Sequence, residues 1–302
     1  PFMNVYKGTL MNADWSCIGI DEWERILPRL DISVPLVTSI AKNYVSPKTA
    51  VEMAQRLVKA GSKIISFVDY DPVQLIETVR DARSTIGVPI MVKLAPFLPD
   101  LEKRLGELVD AGIDAIAAMD SIGPGMVIDP ETGTPSLGSG DGSGYVSGKF
   151  MLPFTLEYIY EIARFVDIPV VGVGGVTDTP SAVQMVMAGA TGVGMVTAPM
   201  LNGLGKFHDI GEGLESYLRT HSLSHIDEIR GKTLRINRSR VISNEYKALI
   251  NNDLCTRCGL CARLCYSNAV KVEEKTYVVD NAECVGCGLC SGVCPAGAIT
   301  YR

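Results

Sequence analysis

Eight of the nine cysteines in this chain lie between residues 255 and 294, and their spacing repeats. Cys255, Cys258, Cys261 and Cys265 read C-x2-C-x2-C-x3-C, and Cys284, Cys287, Cys290 and Cys294 read the same, followed by Pro295. Three thiols at such intervals wrap one face of an iron–sulfur cubane, whereas the fourth lies too far along the turn and ligates a second cubane. The spacing therefore predicts two [4Fe–4S] clusters. Cys255, Cys258, Cys261 and Cys294 would hold one; Cys284, Cys287, Cys290 and Cys265 would hold the other. Gly259, Gly286 and Gly288 suit a backbone that turns sharply around the sulfurs. Structural zinc asks for separated C-x2-C pairs, and a disulfide framework belongs to secreted chains. Neither calls for a third cysteine at the same interval twice. Tyr266 stands where the second run has Pro295, a departure that removes no ligand. A domain of this kind passes electrons one at a time, and a reducing cytoplasm is its expected location.

With 302 residues, 47% of them hydrophobic, the chain can bury a large core plus a small appendage. A net charge of −6 argues against nucleic acid or an anionic membrane as the main partner, and no apolar run reaches the length of a membrane span. From about residue 34, short β-branched runs alternate with helical patterns. Strands are predicted over 34–40, 63–68, 89–95, 115–120, 169–175 and 192–198. Ser46-Pro47 and Asp71-Pro72 read as helix caps with their first helical residue. Gly61, Gly112 and Gly189 each follow an alanine as helix C-terminal caps.

Continuous apolar strands in a repeated βα unit predict an α/β fold, a (β/α)8 TIM barrel. A doubly wound open sheet is the alternative, without an early G-x-G-x-x-G to support it. Only six strands can be counted, and residues 1–30 supply no convincing pair. Two further N-terminal βα units are therefore expected outside this sequence or in another subunit. The expected domains are a barrel over 1–232, a linker over 233–250 and a cluster domain over 251–302. Glycine-rich residues 121–149 break the rhythm, yet they contain Met126, Leu137 and Tyr145, which suits an ordered site loop better than a linker.

Asp69, Asp71, Lys93, Asp120, Ser121, Gly174, Gly175 and Thr197 fall at or just after strand C-terminal ends, where barrel sites are built. Lys93 closing an apolar strand is either a solvated strand end or a site cation. The glycines of 171–176 and 192–197 before helix starts are either tight turns or a phosphate cradle of backbone N–H groups.

Lys93 in VKLAP, residues 120–129, Gly144-Tyr-Val-Ser-Gly148, Val173-Gly-Gly175 and Met195-Val-Thr-Ala198 together resemble the dihydroorotate dehydrogenase family. With the double cysteine run, the resemblance is closest to the catalytic subunit of bacterial dihydropyrimidine dehydrogenases. It implies FMN held by Lys93, Asp120, Ser121, Ser147, Gly148, Gly174, Gly175, Val196 and Thr197. It also implies substrate contacts from Asn12, Asp120 and Ser121. The implied activity is a dehydrogenase acting on a CH–CH bond, with electrons passing through the two clusters to an FAD/NAD(P)-binding subunit in a homo- or hetero-oligomer. Two positions depart from the family. The resemblance makes Lys93 and Asp71 the expected catalytic residues, but Asp71 stands in place of the family's proton-transfer cysteine and is either the acid–base beside the flavin or merely a helix cap. Asp120 stands in place of an asparagine, and an ionised aspartate only accepts hydrogen bonds. These changes leave an alternative: an electron-transfer or scaffold subunit whose barrel has lost its substrate chemistry.

Overall fold

A computed structural model describes residues 3–6, 8–12, 18–41, 45–137, 140–236, 246–274 and 276–301. The chain divides into two compact units, Pro1–Arg235 and Ile236–Arg302.

The first unit is built on six parallel strands: β3 (Val37–Ala41), β4 (Ile64–Val68), β5 (Ile90–Lys93), β6 (Ala115–Ala118), β9 (Val170–Val173) and β10 (Gly192–Gly194). They hydrogen-bond strictly in chain order. A doubly wound sheet reverses its order at a switch point; this one never does. Crossover helices α2 (Pro47–Lys59), α3 (Pro72–Arg83), α4 (Leu101–Ala111), α5 (Leu152–Phe165) and α6 (Thr179–Ala188) supply the covering layer.

The local chemistry explains these boundaries. Ser46 Oγ accepts from Thr49 N at 3.2 Å to start α2. The Asp178 side chain accepts from Ser181 N at 2.9 Å to start α6. Gly61, Gly112 and Gly189 take positive φ where three of the helices end. The core joins Ile65, Phe67, Ile90, Val92 and Ile116 from the strands to Leu75, Val79, Leu105, Leu108, Ile159 and Met185 from the helices, all fully or almost fully buried. Each such side chain contributes about 1.5–3 kcal/mol on leaving water.

Two details differ from the sequence reading. The edge strand β3 alternates exposed and buried residues instead of burying both faces, because only the face carrying Ile40 packs into the core. β10 stops at Gly194, since Thr197 already opens a helix, α7 (Thr197–Asn202).

Residues 121–149 are not one irregular loop. They contain β7 (Ile122–Gly125) and β8 (Gly144–Gly148), which join a hairpin, β1 (Met3–Tyr6) and β2 (Thr9–Asn12), in a second sheet of order β1-β2-β8-β7. The N-terminal residues thus do supply two strands, but antiparallel ones.

In the second unit β11 (Ala248–Ile250) pairs with β14 (Ile299–Tyr301), and β12 (Val270–Glu273) pairs with β13 (Thr276–Val279), both antiparallel. Ala248–Ile250, placed by the sequence in the linker, are therefore part of this unit; residues 237–245 lie outside the described residues. Short helices α9 (Leu260–Leu264) and α10 (Leu289–Gly292) follow Gly259 and Gly288, both in the left-handed conformation.

Candidate functional site

Beyond the C-terminal ends of β5, β6, β9 and β10 lies a cavity. Its lining includes Lys93, Asp120, Ser121, Ser147, Gly148, Gly174, Gly175, Val196 and Thr197. These are all nine of the residues that the sequence assigned to a cofactor. Parallel strands deliver their C-terminal residues to one edge, and β8 brings Ser147 and Gly148 across to the same place.

The cavity has two polar groupings and apolar walls. In the first, Lys93 Nζ lies 2.6 Å from Asp120 Oδ1, which also accepts from Ser121 N at 2.8 Å. Asp120 is buried and Lys93 half-buried. In the second, Ser147 Oγ and Thr197 Oγ1 are 2.7 Å apart, beside Gly148, Gly174 and Gly175 with φ of 129°, 123° and 90°. Met119, Met151, Val173, Val176 and Met195 form the walls between them. Paired hydroxyls and glycine backbone suit a phosphate, and the methionine and valine surfaces suit a flat aromatic ring. The residues present fit FMN.

Gly175 is fixed by packing as well as by conformation. A Cβ there would sit 2.3 Å from Leu152 N, the first residue of α5. Gly175→Ala is expected to cost about 2–5 kcal/mol from strain and overpacking and to abolish retention of the flavin. Gly192→Ala meets only Val171 Cγ2 at 3.7 Å and should retain it. Thermal melts and the flavin content of the purified proteins check both.

The structure separates the two expected catalytic residues. Lys93 lines the cavity, whereas Asp71 is exposed and caps α3, its Oδ1 accepting from Val73 N at 2.9 Å and Gln74 N at 3.2 Å. Pro72 makes this position a helix start, which draws the carboxylate to the helix N–H groups. Asn12 pairs through its backbone with Tyr145; its side chain lies outside the described residues, as does Cys17.

Tyr70 escaped the sequence reading. Its hydroxyl donates to the Ser121 carbonyl at 3.4 Å, and its ring lies 5.8 Å from that of Tyr145. Burial, and then the negative charge of Asp120, hold its pKa above the usual tyrosine value, so the hydroxyl stays protonated. The signal available was position alone: an aromatic residue between two aspartates just beyond β4.

In the second unit, all eight described cysteines are free thiols. They line two small cavities. Cys255, Cys258, Cys261 and Cys294 line the first; Cys265, Cys284, Cys287 and Cys290 line the second. Each cavity thus draws three thiols from one run and one from the other, the donor set of a cubane pair.

Residues 6–218 match the dihydroorotate dehydrogenase family, and residues 248–301 match the 4Fe-4S dicluster domain. Among similar proteins is the catalytic subunit of dihydroorotate dehydrogenase B (NAD(+)) from Methanothermobacter thermautotrophicus. It is 32% identical over 240 residues, covering 76% of this chain and 78% of the relative. Proteins of the same description from Methanosarcina mazei and Thermococcus kodakarensis are 37% and 35% identical. Those two alignments cover 52% and 54% of this chain and about half of each relative, 49% and 53%.

Proposed function

The chain belongs to the dihydroorotate dehydrogenase family and carries a 4Fe-4S dicluster domain, and on that premise we propose a flavoprotein enzyme that oxidises or reduces a CH–CH bond of a small cyclic substrate, dihydroorotate or a dihydropyrimidine. When bound, FMN supplies hydride exchange with that bond, and two [4Fe–4S] clusters supply single-electron transfer to an FAD/NAD(P)-binding partner subunit in a homo- or hetero-oligomer. The reading is carried by one convergence: nine dispersed residues implied for FMN line one cavity.

In this reading Ser147 and Thr197 hydroxyls and the backbone of Gly148, Gly174 and Gly175 hold the phosphate. Lys93 presents an ammonium to the ring and Asp120 fixes its position. Met119, Met151 and Met195 keep water from the ring's surroundings. Tyr70 keeps a protonated hydroxyl against the Asp120–Ser121 peptide. Asp71, committed to a helix cap, is the weaker candidate for proton transfer. Its exposed position favours a second reading, an electron relay that keeps FMN but has lost substrate chemistry.

Two further strands between the β10 and β3 edges would complete a (β/α)8 barrel, which the chain-order sheet and the half-exposed face of β3 support. Thiolate clusters suit a reducing cytoplasm. Among the described residues no helix is long and apolar enough to cross a membrane.

The test is anaerobic: holoprotein is mixed with dihydroorotate or dihydrouracil and flavin absorbance is followed. Bleaching by either compound is the expected result. A flavin that accepts electrons only by way of the clusters overturns the enzyme in favour of the relay. Asp71→Asn then decides that residue: bleaching should persist if it is only a cap, and its loss with flavin retained would make Asp71 the acid–base.

A further inference from the structure

The second unit is an internal repeat, and the two halves can be compared position by position. Pairing Cys255 with Cys284 and Cys265 with Cys294 brings the whole of one half onto the other. The strands obey the same relation: β11 pairs with β14 as β13 pairs with β12, each half lending a strand to the other. Backbone donors to the crossing cysteines are matched. Ala269 N donates to Cys265 Sγ and Ala298 N to Cys294 Sγ, both at 3.3 Å.

The side-chain donors are not matched: Tyr277 lines the first cavity, but among the described residues the hydroxyls bonded to a cysteine sulfur are those of Ser267 and Tyr301. Ser267 Oγ lies 3.6 Å from Cys265 Sγ; its counterpart beside Cys294 is Ala296, which has no donor. Tyr301 OH lies 3.6 Å from Cys290 Sγ; the counterpart is Val272. Lys247 Nζ donates to the Cys284 carbonyl at 2.5 Å; the counterpart is the neutral Thr276. Ser267 and Tyr301 line one cavity, that of Cys265, Cys284, Cys287 and Cys290, and Lys247 is bonded to the main chain of one of its four cysteines.

We propose that Cys265, Cys284, Cys287 and Cys290 form the site of higher reduction potential, so that a single electron entering this unit resides there; this rests on the two-cluster reading. An added electron makes a thiolate-ligated cluster more negative, and hydrogen bonds to the sulfurs together with a nearby cation stabilise that state. Two groups act the other way. Arg257, whose N–H donates to Cys255 Sγ at 3.4 Å, stands at the first cavity, and Glu283 precedes Cys284. Both side chains are exposed, where water and salt screen them. Ser267, Tyr301 and Lys247 are half-buried and screened less. The hydroxyls and the ammonium therefore decide the order of the two sites.

The experiment is stepwise anaerobic reduction of the full holoprotein, followed by electron paramagnetic resonance. The wild-type protein should reduce in two separate one-electron steps. Ser267→Ala combined with Tyr301→Phe, two small changes that leave every ligand in place, should lower the upper step alone. A tenfold change in its occupancy corresponds to about 59 mV for one electron. Thr276→Ala, at the position equivalent to Lys247, should move neither step. A double variant that moves the lower step, or moves nothing, overturns the proposal. Protein whose iron content falls well short of about eight per chain before reduction defeats the two-cluster reading itself, a failure visible without any potential.

Discussion

Alanines at both Cys255 and Cys294 are expected to leave about four irons per chain, whereas alanines at both Cys255 and Cys265 leave none. The contrast follows from which thiols share a cavity. Cys255 and Cys294 lie in different runs but line the same site, so the first pair damages one cluster only. Cys255 and Cys265 lie in the same run but line different sites, so the second pair damages both. Ligation within each run would invert the two results, and iron and acid-labile sulfide analysis distinguishes them directly.

Loss of both clusters should also unfold the second unit. Its main buried cluster is Ala248, Cys261, Ala269, Val270, Cys284 and Ile299, and two of those six are themselves ligands. So small an apolar core cannot offset the chain entropy of folding without its metal. Circular dichroism of the Cys255/Cys265 variant should therefore show loss of the small β-pairs while the first unit still melts cooperatively.

The second large effect is expected at the ion pair of the first unit, where the two partners should respond with opposite sign. Lys93→Met leaves the buried Asp120 carboxylate without its cation. Breaking a fully buried pair costs about 3–5 kcal/mol. With the Lys93 side chain 27% exposed, solvent screening brings the expected cost to about 2 kcal/mol. With FMN seated in the cavity, the same change removes the positive charge that favours the reduced, anionic flavin, and the flavin potential should fall. Asp120→Asn does the reverse: it frees the ammonium from its counter-charge, keeps a group of the same shape, and should raise the potential. Spectroelectrochemistry and thermal melts on both variants check the prediction. Potentials that move together, or not at all, would separate this pair from the flavin.

The cysteine spacing was legible because it is a local property, written within each short run; that each cavity takes its fourth cysteine from the other run is a contact across the unit. The crossover helices were legible for the same reason, through Ser46-Pro47, Asp71-Pro72 and the glycines after Ala60, Ala111 and Ala188. Asp71 shows where such locality misleads. One residue can read as both cap and catalyst, and only its exposure and its two backbone donors tell which contacts it makes. The strands inside residues 121–149 were hidden because glycines mask β-propensity, and because β8, besides pairing with β7, takes a partner more than a hundred residues away in β2.

The sequence by itself determined the cysteine spacing, the βα rhythm and the residue types at the strand ends, since each is set by neighbours along the chain. Only the tertiary structure decided that Asp120 clasps Lys93, that Tyr70 stands against Ser121, and that Ser267, Tyr301 and Lys247 favour one cysteine cavity over its twin. Those are contacts between side chains from separate elements. Their energies depend on distance and on how much water is excluded, and neither quantity is written in the order of the residues.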